Sequence, residues 1–183
     1  MFISVRELQI HRIEFDEKYA PGAIDLGTEI RQSEPLSAAG RAEVVVEQRG
    51  GRLGTIADIR LVGGFKAQLE ATCARCLNPV PQTLEREFDL LYRPTGVDRR
   101  GDEQAIHEAD TEIGYYQGEG LQLEDVLREQ VLLAVPIRLL CRDDCKGLCP
   151  QCGCNLNRET CHCTPPAGDV RWTALKEIKD RLR

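Results

Sequence analysis

The chain has 183 residues, 42% hydrophobic but only 5% aromatic, and a formal net charge of -6. That length fits one domain, or one domain with a small appended module, around an aliphatic core. The acidic balance argues against non-specific coating of nucleic acid. The start MFISVRELQI lacks the basic-then-apolar order of a secretory signal, and the run VLLAVPI is too short to cross a membrane.

In chain order, FISVREL alternates like an edge strand, and Pro35 and Gly40 mark a connection; the first forty residues otherwise give no pattern. EVVVEQR, TIADIRLVG and FKAQLEA are β-rich runs parted by Gly50-Gly51 and Gly63-Gly64, each glycine pair a hairpin signal. A further strand runs from about Val80 to Leu91, which puts Cys73 and Cys76 on a turn of an antiparallel β-meander. Residues 94–110 are a polar loop, and Thr111–Gln117 returns to the sheet. Leu123, Val126, Leu127, Val131 and Ala134 recur at three- and four-residue steps, interrupted by Gln130, and predict an amphipathic helix that Pro136 stops. A half-buried sheet needs such a cover, so the fold class is α+β: a β-meander packed by one helix, followed by a cysteine-rich segment. The expected division is a β-rich domain over 1–140 and a zinc module with a basic terminal helix over 141–183. That helix would carry Trp172, Leu175, Ile178 and Leu182 on one side, after the stiff break at Pro165-Pro166.

Nine cysteines dominate the chemistry. Cys73 with Cys76, Cys141 with Cys145, Cys149 with Cys152, and Cys161 with Cys163 form four close pairs, leaving Cys154 over. A chain without a secretory signal keeps its thiols reduced, where paired cysteines point to metal or catalysis before disulfides. Eight thiols suit two closed tetrahedral sites, for which zinc is the commonest ion. In Cys149-Pro-Gln-Cys152-Gly153 the proline stiffens the knuckle and the glycine lets the chain curl beneath an ion. The preferred grouping is an outer site of Cys73, Cys76, Cys141 and Cys145 and an inner site of Cys149, Cys152, Cys161 and Cys163. A second grouping, Cys73 and Cys76 with Cys149 and Cys152 around a single ion, stays open. His162 can stand in for one inner ligand.

Three stretches in this order, ATCARCL from Ala71, REQVLLAVP from Arg128 and CRDDCKGLCPQCG from Cys141, resemble the bacterial YceD family of large ribosomal RNA subunit accumulation proteins. The likeness runs from about Glu43 to the segment around Trp172. It implies a role in accumulation of the large (23S) ribosomal RNA through its precursor, with a chloroplast relative of similar role. It also implies that Cys73 and Cys76 are the first family pair and that Cys141 and Cys145 follow the helix, the inner module being optional.

The leading expectation is a non-enzymatic, cytoplasmic zinc-containing factor that binds precursor RNA or the assembling large subunit. Arg75, Arg142, Lys146, Arg158, Arg171 and Trp172 are its candidate contacts, since guanidinium forks hold phosphate and aromatics stack on bases. The alternative is a protein-binding adaptor whose acidic run from Asp102 to Glu129 recruits a basic ribosomal protein or ribonuclease. Nine acidic against two basic residues over 101–140 favour that version. An enzyme is the weakest reading: four-cysteine sites are closed, and no phosphate loop, His-Glu-x-x-His helix or nucleophile elbow is present.

Overall fold

Residues 1–48, 55–97 and 113–164 are described by the computed structural model. They form eight strands and two helices: β1 (Phe2–Ser4), α1 (Val5–Leu8), β2 (Ile13–Tyr19), β3 (Ile30–Gln32), β4 (Leu36–Gln48), β5 (Thr55–Thr72), β6 (Pro79–Pro94), β7 (Ile113–Tyr116), β8 (Gly120–Gln122) and α2 (Leu123–Ala134). The main sheet runs β2-β4-β5-β6-β7, with β3 also paired to β5, and β1 and β8 make a separate two-stranded ribbon.

The first forty residues are part of the body, not a loose lead-in. β2 lies antiparallel along β4 from Ile13↔Ala42 to Tyr19↔Leu36, and Ile3, Leu8, Ile13, Phe15, Tyr19, Ile24 and Leu26 enter the main core. FISVREL is a three-residue strand turning directly into a one-turn helix rather than a single edge strand.

The second glycine pair is not a turn. β5 passes straight through Gly63 and Gly64 as one 18-residue strand. Gly63 lies opposite Gly40 of β4. A Cβ on Gly40 would stand 2.4 Å from the Val62 carbonyl oxygen and 2.7 Å from the Phe15 ring. These glycines therefore make room for backbone and an aromatic ring, a use that glycine serves in strands as well as in turns. Gly40→Ala should cost about 1–3 kcal/mol through overpacking, read as a lower urea midpoint with an unchanged slope. The Gly50-Gly51 pair lies outside the described residues, although β4 and β5 are antiparallel neighbours on either side of it.

The return to the sheet is parallel: β7 pairs with β6 from Leu91↔Ile113 to Pro94↔Tyr116, so the meander is not antiparallel throughout. The polar loop lies outside the described residues from 98 to 112. α2 buries Leu123, Val126, Leu127 and Val131 in the same core as Leu61, Phe88 and Tyr92. It ends where expected: Val135 is extended (ψ 127) because a proline follows. The terminal helix falls outside the described residues. No described helix is long and apolar enough to cross a membrane.

Candidate metal centres

Beyond α2 the chain turns back, and the Leu139 carbonyl accepts the Ala74 N–H at 2.8 Å. That contact brings Cys141 and Cys145 to the β5–β6 turn. Two groups of four sulfurs result, Cys73, Cys76, Cys141 and Cys145, and Cys149, Cys152, Cys161 and Cys163, each with all sulfurs within 4.8 Å of one another. The grouping of Cys73 and Cys76 with Cys149 and Cys152 is not the one the fold makes.

The donor geometry fits an ion. Metal–sulfur bonds of about 2.3 Å place tetrahedral sulfurs about 3.8 Å apart. The outer group has Cys73–Cys145 at 3.9 Å and Cys76–Cys141 at 3.6 Å; the inner has Cys152–Cys161 at 3.7 Å and Cys149–Cys161 at 3.3 Å. All nine cysteines are free.

Both knuckles have the same backbone. Leu77 N–H donates to the Cys73 carbonyl at 3.0 Å, and Gly153 N–H to the Cys149 carbonyl at 2.9 Å. The residue after the second cysteine is left-handed in each: Leu77 at φ 58 and Gly153 at φ 74. Glycine takes that conformation freely, whereas leucine is strained there. Leu77 is 62% exposed, beside a cleft of about 250 Å³ that the fully exposed Ile137 also lines.

The turns aim amides at the leading sulfurs. N–H groups of Cys76 and Arg75 lower the Cys73 thiol to about 6, and those of Cys152 and Gln151 lower Cys149 to about 6. Cys145 is lowered too: burial opposes, but the Asn157 amide and the Gly147 N–H outweigh it. In the same group, burial and contact with Cys145 push Cys141 up to about 12. Four sulfurs this close cannot all be thiolates without a cation between them, and that is the condition a divalent ion satisfies. Cys154 is a fifth thiol beside the inner group; contact with Cys152, then burial, pushes it up to about 12.

Arg75 is committed to the scaffold. Its Nη1 donates to the Cys145 carbonyl at 2.7 Å and the Asp143 carbonyl at 3.3 Å. Arg142 donates to Asn157 Oδ1 at 2.8 Å and pairs with Asp144 at 3.2 Å. Lys146 and Arg158 are exposed on the same patch, one through its N–H on Asn157 Oδ1, the other next to Asn157 in the chain. Arg171 and Trp172 lie outside the described residues. Sequence reasoning missed Asn157; an Asn-x-Asn inside the Cys152–Cys161 loop was the available signal.

Residues 61–179 match the family described as large ribosomal RNA subunit accumulation protein YceD. The chain belongs to the YceD family. An uncharacterized protein of Mycobacterium tuberculosis is 33% identical over 122 residues, covering 66% of this chain and 55% of its own. The maize large ribosomal RNA subunit accumulation protein YCED homolog 1, chloroplastic, is 26% identical over 170 residues, covering 78% and 56%. Its Arabidopsis thaliana counterpart is 22% identical over 146 residues, covering 68% and 46%. The chain thus spans about half the length of the curated relatives it matches. No solved structure matches it.

Proposed function

We propose that this YceD-family chain is a non-enzymatic zinc protein of the cytoplasm that supports accumulation of large-subunit ribosomal RNA by contacting its precursor or the assembling particle. The family match carries the process. The two sulfur tetrads supply the physical form: outer and inner zinc ions hold a segment that has little apolar core of its own against the sheet. The 1–140 body and the 141–183 module share the outer ion, which clips them together.

Arg142, Lys146 and Arg158, gathered around Asn157, are the phosphate-contacting residues in this reading, with Arg171 and Trp172 following in the tail. Arg75 contributes by holding the Cys145 loop. The test is crosslinking of tagged, zinc-loaded protein in growing cells, with the recovered RNA sequenced beside a Cys73/Cys76 double substitution and an Arg142/Lys146/Arg158 triple alanine variant. The expected result is a peak on large-subunit precursor RNA, lost in the first variant and at least several-fold weaker in the second, whose zinc content is unchanged.

A protein-binding adaptor is the second reading. Asp125 and Glu129 stand exposed on α2 at the end of the acidic run and suit a basic ribosomal protein or a ribonuclease. Abundant protein with no enriched RNA, and capture of such a partner from nuclease-treated extract, would favour it over direct RNA binding.

A further inference from the structure

The two tetrads are built into each other. Only Lys146, Gly147 and Leu148 separate outer ligand Cys145 from inner ligand Cys149. That linker is pinned on both sides. Leu148 N–H donates to the Arg75 carbonyl inside the outer knuckle at 3.1 Å, and Leu156 N–H, from the inner loop, donates to the Gly147 carbonyl at 2.9 Å. Gly147 is left-handed (φ 79), and a Cβ there would press on the Arg75 carbonyl at 3.0 Å.

The most direct bridge is Asn157. It sits in the loop that joins inner ligands Cys152 and Cys161, yet its Nδ2 donates to the outer sulfur of Cys145 at 3.3 Å. Its Oδ1 accepts the Lys146 N–H at 2.8 Å and the Arg142 guanidinium at 2.8 Å. Asn155 holds it in place, with Oδ1 accepting both the backbone and the side-chain N–H of Asn157 at 3.0 Å. A loop of this size has few ways to stay ordered without its ligands tied together. An ion in the inner tetrad fixes the ends of the loop, and the loop then presents a ready donor to an outer ligand. Such supporting donors typically change metal affinity 10–100-fold.

We infer that the two tetrads load metal cooperatively, with Asn157 as the positioning residue through which an inner ion tightens the outer site. This rests on the metal-binding reading above. Coupling of this kind is reciprocal: whatever factor the inner ion adds to outer affinity, the outer ion adds to inner affinity.

The experiment uses the full chain, reduced and metal-free, titrated with cobalt(II) and zinc(II) against a chromogenic chelator. Cys149→Ser/Cys152→Ser disables the inner site and Cys73→Ser/Cys76→Ser the outer. The expected result is an outer affinity about tenfold or more lower when the inner site is disabled, with the inner affinity lower by the same factor in the converse variant. Asn157→Ala should weaken the outer site about 10–100-fold, and in that background disabling the inner site should change outer affinity little further. Asn157→Asp keeps the acceptor for Lys146 and Arg142 but cannot donate to sulfur, so it should behave like the alanine variant; wild-type affinity in it would overturn the role of the amide. Two ions bound with independent affinities overturn the coupling alone, and coupling that survives Asn157→Ala overturns its assignment to this residue. No metal taken up by either tetrad overturns the coupling and the metal reading together.

Discussion

On the zinc reading proposed above, stripping metal from the reduced protein with a strong chelator is expected to unfold residues 137–164 while the sheet stays folded. The main core draws no side chain from that segment. Within it only Cys145, Gly147 and Cys149 are buried, and Leu139, Leu140, Leu148 and Leu156 are half-covered at best. Apolar burial of that size cannot offset the backbone entropy of ordering the segment. Binding of structural zinc contributes about 10–16 kcal/mol in isolated finger peptides at neutral pH, more than enough to decide the matter. Hydrogen exchange should therefore show the amides of Ala74, Leu148, Cys149 and Leu156 losing protection within seconds, with β5 still protected against β4 and β6. Far-UV circular dichroism should keep its strand signal. Acid should act in the same direction, because each thiolate must take up a proton to let the ion go; the loss grows as pH falls. Unchanged protection after verified metal removal would mean that hydrogen bonds alone order the segment.

Asp58→Ala is expected to cost about 3–5 kcal/mol of folding stability. Asp58 and Arg93 are 2% and 6% exposed, and the guanidinium donates Nη2 to Oδ2 at 2.9 Å and Nε to Oδ1 at 3.2 Å. Removing the carboxylate takes these charge-assisted hydrogen bonds from a guanidinium that is almost wholly out of water. The same two strands supply a built-in control. Arg60 and Asp89 also pair through two hydrogen bonds, at 2.9 and 2.7 Å, but both side chains are about half exposed. Asp89→Ala should cost less than about 1 kcal/mol, since water and salt already screen that pair. Urea unfolding of both variants at one pH makes the comparison direct. Equal losses would show that burial adds nothing to the Asp58–Arg93 pair.

How much was legible in the sequence followed how local the cause was. The cysteine pairs were readable because two-residue spacing belongs to a single turn. Their grouping into tetrads stayed open, because Cys73 and Cys141 meet only after α2 has turned the chain around. α2 was readable from its apolar spacing and from Pro136. β2 was missed although Ile13, Phe15 and Tyr19 alternate, because Glu17 interrupts the pattern on the same side. Gly63-Gly64 was misread because a glycine that admits a neighbouring ring looks, in one dimension, like a glycine that makes a turn. Arg75 reaches Cys145 across 70 residues and Asn157 across 12, contacts that no local spacing pattern displays.

The ribbon of β1 with β8 bears on how the chain is made. Phe2 pairs with Gln122 and Ser4 with Gly120, so β1 has no partner until β8 follows it, more than a hundred residues later. Translation at about 5–20 residues per second leaves it waiting roughly 6–24 seconds. β2, β4 and β5 can meanwhile pair with one another as they emerge. Docking of β1 thus follows pairing of the main strands, and Ile3, fully buried in the folded chain, stays open to solvent and chaperones until α2 is nearly ready to follow.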